Sequence, residues 1–219
     1  KVLNIAPRKH VCIKNWDALS KSMEPYGILH LVSTSAEEGG FVADWLVSDD
    51  DSSMRAIVKH KKSELLSDKG KLPPHILEPI FKADPSHRVK FVAKYFYLLK
   101  NKRVAESIMT GPIAARLKRS WGYMIKQNRC GPIENFLHAA KAPLHHTFND
   151  HRFCGDWCLA IKAQKEKKVF INSRGWLSRD TEAGKKLFEQ IQEITIKYGS
   201  KFYLRQSLHP FDTQTNEDL

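Results

Sequence analysis

Phe41-Val-Ala-Asp-Trp-Leu-Val47-Ser-Asp49-Asp-Asp51-Ser-Ser53 sets the fold class of this chain. Its first seven residues form a largely apolar run of strand length, which breaks into an acidic, serine-rich turn. Met54, Ile57, Val58 and Leu65 then recur at near-helical spacing, with Asp51 or Ser52 as the N-cap. Strand, acidic turn, helix is a mixed α/β arrangement, and it carries Asp49 where an apolar strand delivers it. A carboxylate that holds a hard cation belongs on such a rigid element. The segment alone also reads as an acidic N-cap turn and nothing more.

Working outward, residues 2–6 read as a short strand and residues 18–38 as a helix that Pro25 and Gly27 are expected to kink or split. Downstream, Ile80-Phe-Lys-Ala83 reads as another short strand, and Asp84-Pro85-Ser86 opens a helix with Val89, Val92, Ala93, Phe96 and Leu99 as its apolar stripe. A basic helix is expected over 112–126 and a short one from Gly131-Pro132 to about residue 140. Residues 168–172 read as a short strand or linker. Residues 178–198 read as an amphipathic helix with Leu187, Ile191, Ile194 and Tyr198 on one side. The coarse order is a mixed α/β first third and a mostly helical remainder.

That remainder contains His146-Thr-Phe-Asn-Asp-His151-Arg-Phe-Cys154-Gly-Asp-Trp-Cys158, spaced H-x4-H-x2-C-x3-C. Zinc takes four nitrogen or sulfur donors at tetrahedral corners, and spacers of two to five residues let a short loop curl around one ion. Four donors close the shell, so the reading is a structural Zn2+ site on His146, His151, Cys154 and Cys158, with His145 as the alternative to His146. The plainer reading is two buried cysteines near a polar turn with surface histidines.

With 42% hydrophobic and 27% charged residues among 219, the chain reads as globular. No apolar run approaches the roughly 18 residues that cross a bilayer, and no membrane partner is expected. Four cysteines, two of them expected on metal, suit a reducing compartment better than a disulfide framework. The net charge of +12 makes polyanions the natural partners. Candidate phosphate-contacting clusters are Arg116, Lys118 and Arg119, then Lys162, Lys165, Lys167 and Lys168.

Taken in order, these segments resemble those of Mutator-like transposases of eukaryotic DNA transposons. Val47-Ser-Asp49-Asp-Asp51-Ser-Ser53 resembles their D-G-D-S-S segment, and Ala83-Asp84-Pro-Ser-His87-Arg-Val-Lys90 is similar to their C-x-x-H segment. The stretch from Pro143 to Cys158 resembles their H-x-F-G-x-H-x-x-C zinc segment. Thr213-Gln-Thr-Asn216-Glu217 resembles the stretch that holds their final acid. Near the start, His10-Val-Cys12-Ile-Lys-Asn15 through Ser20-Lys-Ser-Met23-Glu24 is similar to an H-x-C-x-K-N…S-K-x-M-E segment of the family.

The resemblance implies an α/β fold, a partial ribonuclease-H-like core with a mostly helical zinc-binding insertion. The boundaries expected are 1–100 for the partial core, 101–175 for the insertion, and 176–219 for C-terminal helices that return to the core. It implies Asp49 as the second and Glu217 as the third acid of a DDE triad, with Asp51 as an alternative ligand and Mg2+ or Mn2+ as catalytic ions. His87 corresponds to the histidine of the C-x-x-H segment, whose cysteine is replaced by Asp84. The first acid is expected upstream of Lys1, so the fragment is expected to be inactive by itself. DNA, namely transposon ends and target, is the implied partner, a homo-oligomer is possible, and the implied compartment is the nucleus. The competing reading is a non-catalytic zinc-stabilised DNA-binding module, or domesticated transposase remnant; a purely structural zinc protein is a third.

Overall fold

The computed structural model describes residues 20–38, 45–48, 56, 80–100, 108–172 and 175–210. The chain divides into two compact units, one of residues 1–44 with 51–79 and one of residues 45–50 with 80–219. The first contains α1, Ser20–Glu38, which runs unbroken through Pro25 and Gly27. The expected split is therefore corrected. Proline removes a single i→i−4 bond, and the remaining ladder carries the helix across it.

The second unit begins with two short parallel strands, β1 (Trp45–Ser48) and β2 (Ile80–Ala83), paired Trp45 to Ile80 through Ser48 to Ala83. Parallel neighbours need a long crossover, and the separation in sequence between Ser48 and Ile80 supplies one. The pairing continues past β2, where the Asp84 amide donates to the Ser48 carbonyl at 2.7 Å. Asp84 then caps α2 (Pro85–Leu99): its carboxylate accepts from the Ser86 and His87 amides at 2.5 and 3.1 Å. Pro85 fits the first helical turn because its missing N–H has no intrahelical partner there.

Among the described residues, the remaining regular elements of this unit are helices: α3 (Gly111–Asn128), α4 (Ile133–Ala139), α5 (Ala142–Thr147), α6 (Leu159–Lys165), α7 (Glu182–Tyr198) and α8 (Lys201–Gln206). The long helix α3 is the hub, packed against α2, α4 and α5. Its buried Leu117, Trp121 and Met124 share one apolar core with Phe96, Phe136, Leu187 and Ile191, and Phe96 stands edge-on to Trp121 at 6.2 Å between ring centres. The stripe expected on α2 faces this core. Residues 168–172 form neither strand nor helix, and the expected 178–198 helix starts at Glu182, capped by Thr181.

The C-terminal segment returns to the strands. Lys82 Nζ donates to the Arg205 carbonyl at 3.1 Å, and the buried His209 ring lies 3.0 Å from the Ala83 carbonyl through Nε2. Burial first of all holds the His209 imidazole below the usual histidine range, which favours the neutral ring. A neutral ring that bonds a carbonyl through Nε2 carries its proton there. His209 also meets Trp45 edge-on at 6.4 Å.

Gly184 sits in the first turn of α7, where its amide donates to Thr181 Oγ1 at 3.0 Å. A Cβ at this position would run into the Ser178 carbonyl oxygen, which is backbone and cannot swing aside. Gly184→Ala should therefore destabilise the protein by about 1–3 kcal/mol through overpacking, although alanine is the better helix former. A denaturant titration checks it; a stabilised variant would refute the close approach.

Candidate metal centre

Helix α5 ends at Thr147 with Phe148 as its C-cap, and Asn149, in the left-handed region at φ 60°, turns the chain back on itself. The Asp150 amide then donates to the His145 carbonyl at 2.9 Å, which brings His151 round to face His146. A tight turn follows, with the Cys154 amide on the His151 carbonyl at 3.0 Å. The Cys158 amide on the Gly155 carbonyl at 3.1 Å closes another, and Cys158 is the N-cap of α6. One donor thus comes from a helix end, two from the turn and one from a helix start. The expected metal loop is in fact framed by two short helices.

All four donor atoms lie within 4.8 Å of one another. His146 Nδ1 and His151 Nδ1 are 3.2 Å apart. Cys154 Sγ stands 3.5 and 3.7 Å from those two nitrogens, and Cys158 Sγ 3.6 and 3.3 Å. With zinc–ligand bonds of about 2.05 Å to nitrogen and 2.3 Å to sulfur, a tetrahedron has edges of about 3.3 Å for N···N and about 3.5 Å for N···S. The measured edges match, so the cluster can hold a metal ion of zinc's size and coordination. The Cys158 thiol is pushed well below its ordinary range, first by the hydrogen bond from Cys154 and then by the two histidines, against the effect of burial. The same pair contact, with burial, pushes Cys154 up. A cation is the natural counterpart of such a thiolate.

Aromatic rings wall the cluster. Trp157 meets the His146 ring at 4.9 Å, and Trp176 meets His146 at 5.4 Å and His151 at 5.1 Å. Trp157 stacks on Tyr123 of α3 at 5.8 Å, and the Leu177 amide donates to the Thr147 carbonyl at 3.2 Å. These contacts dock the knuckle on the helical core. The far nitrogen of His151, Nε2, lies 3.3 Å from Asn149 Oδ1. Such outer partners orient a ligand ring, and their loss costs about 10–100-fold in metal affinity. Asn149→Gly keeps the left-handed backbone and removes only the side chain, so it should weaken zinc retention by about tenfold in a chelator competition; unchanged retention would show that Asn149 serves the turn alone.

His145, the alternative ligand, points elsewhere. Its Nδ1 lies 2.8 Å from Asp150 Oδ2, and its ring packs edge-on against Phe153 and Phe188. Arg152 donates to Asp150 at 2.9 Å through Nε and at 2.7 Å through Nη2, and this hydrogen bonding holds the Asp150 carboxyl well below the usual range. The Asn-Asp pair visible in the sequence is thus the brace of the turn. Nothing in the spacing showed that Trp176 would close the wall from eighteen residues beyond Cys158.

The other site residues scatter. Arg116 donates to the Gly175 carbonyl at 2.9 Å and lies 5.5 Å over the Trp176 ring, so it buttresses the knuckle. Lys165 pairs with Asp156 and Lys168 with Glu166, each at 2.8 Å, while Lys162, Lys167 and Arg119 are exposed and Lys118 is half-buried. Asp84 is buried and serves as the α2 cap; His87 is half-buried in the first turn of that helix. Asp49, Asp51 and Glu217 lie outside the described residues.

The family model described as Mutator-like transposase matches residues 3–158. That span takes in Asp49, Asp51, Asp84 and His87 and ends on Cys158, the last donor of the cluster; Glu217 lies beyond it. No curated protein and no solved structure matches the chain.

Proposed function

The chain belongs to the Mutator-like transposase family, and on that premise we propose that it forms part of a DDE-type DNA transposase active site on a ribonuclease-H-like core. Asp49 and Glu217 are the acids this reading assigns, with Asp51 as the alternative. One observation carries it. The carbonyl of Ser48, the residue before Asp49, is bonded to the Asp84 amide, and its paired residue Ala83 is bonded to His209, eight positions before Glu217. Eight residues of extended chain reach at most about 28 Å, ample to return Glu217 to the same strand ends.

Mg2+ or Mn2+ ions held by such carboxylates would supply Lewis-acid stabilisation of the charge on a phosphodiester undergoing in-line attack, first by water and then by a 3′-hydroxyl. The chain's own share is to present carboxylates from a fixed strand end, to hold the strands in register through Asp84 and His209, and to bind DNA through its basic helices. Zn2+ on His146, His151, Cys154 and Cys158 is structural in this reading, since four protein ligands leave no open position. The nucleus is the compartment it assigns, and a homo-oligomer is compatible with it.

The test is strand cleavage and strand transfer by the polypeptide that contains this chain, on DNA carrying the element's ends. Cleavage that needs Mg2+ or Mn2+ is the expected result. Tight DNA and zinc binding without any cutting would favour the alternative, a non-catalytic zinc-stabilised DNA-binding module or domesticated remnant.

A further inference from the structure

We propose that the groove between α2 and α3, which takes in Lys118 of the 116–119 basic cluster, is a binding track for a DNA phosphate backbone separate from the zinc knuckle; the assignment of DNA rests on the transposase reading. The groove has a volume of about 370 Å³ and draws Ser86 and Lys90 from α2, Lys118, Gly122 and Lys126 from α3, and Arg129 from the C-cap of α3. No carboxylate lines it. Positions 118, 122, 126 and 129 are spaced four, four and three, so they fall on one face of the helix. Lys118 and Arg129 are half-buried, and Val89 and Ile125 give the groove an apolar floor. Gly122, midway between Lys118 and Lys126, leaves that floor open.

Dimensions and charge fit one strand of a duplex. The eleven steps of helical rise from Lys118 to Arg129 span about 16 Å, the axial length over which one strand carries about five phosphates. The first amides of α2 are taken by the Asp84 carboxylate, so the groove attracts through its side chains and not through the helix end. One end of the groove, at Pro85 and Ser86, directly follows Asp84, which is bonded to Ser48. A backbone lying in it would run toward the strand ends where the acids are proposed.

The test is fluorescence anisotropy of the zinc-loaded chain on a short random-sequence duplex across a salt series. Lys118→Ala with Lys126→Ala should lower the slope of log affinity against log salt by about 2 and weaken binding about tenfold or more. Lys118→Arg with Lys126→Arg should preserve both. Lys185→Ala with Lys186→Ala removes the same charge from exposed positions of α7 and should leave the slope unchanged. Equal losses from the two alanine pairs would show that net charge alone attracts DNA, which overturns the groove and leaves the transposase reading intact. A parent chain that binds no duplex at all would overturn both.

Discussion

Cys158→Ser is expected to strip zinc from the protein, from a single ion per chain to below about a tenth, and to lower Tm by about 10 °C. Cys158 is buried at the start of α6, and its sulfur sits within 3.6 Å of both histidine nitrogens. Losing one donor leaves three polar groups crowded without their common partner, and breaking one member of a buried charged set costs about 3–5 kcal/mol. For a chain of this size each kcal/mol moves Tm by about 2–4 °C. His151→Ala with Cys154→Ala should behave the same way. The knuckle alone is expected to loosen first, because α3, with Phe96 and Leu187 beside it, makes a core of its own. Zinc content by atomic emission, with thermal unfolding, decides the matter; unchanged Tm in a variant that has lost its zinc would reduce the cluster to a surface ornament of the fold.

The second large effect is on chemistry. Asp49→Asn in the polypeptide that contains this chain is expected to reduce metal-dependent strand cleavage by about a thousandfold or more, a barrier increase of about 4 kcal/mol, with DNA affinity changed less than about twofold. An amide keeps the shape of the carboxylate and removes the charge that holds a divalent ion. Glu217→Gln should do the same, and the double variant should lose little more than either, because groups that grip the same ions act as a unit. Undiminished cutting by Asp49→Asn would remove Asp49 from the active site.

What could be read from the sequence was what is local. The apolar stripe of α2 and its Asp84 cap follow from spacing within one helix, and the four donors of the knuckle lie within thirteen residues. The choice between His145 and His146 was not legible, because adjacent helical residues differ by about 100° in direction and both are equally good donors. It took the packing of α5, which sends His145 to Phe153 and Phe188, to separate them. Helices α5 and α6, with six and seven residues, are too short to display a period. Pro25 argued for a break that the rest of α1 overrides. The α2–α3 groove joins Lys90 to Lys118 across two helices, and no local pattern announces such a pairing.

The claim on which the rest depends is that one pair of cations is gripped from the end of β1 and from the chain's last residues. The most direct measurement replaces Mg2+ by Fe2+ in the zinc-loaded protein, adds ascorbate and peroxide, and maps backbone cuts by mass spectrometry, since hydroxyl radicals act close to the bound iron. Cuts beside both Asp49 and Glu217, suppressed together by excess Mg2+ and by Asp49→Asn, are the predicted result. Cuts at one of these positions without the other would contradict a shared site.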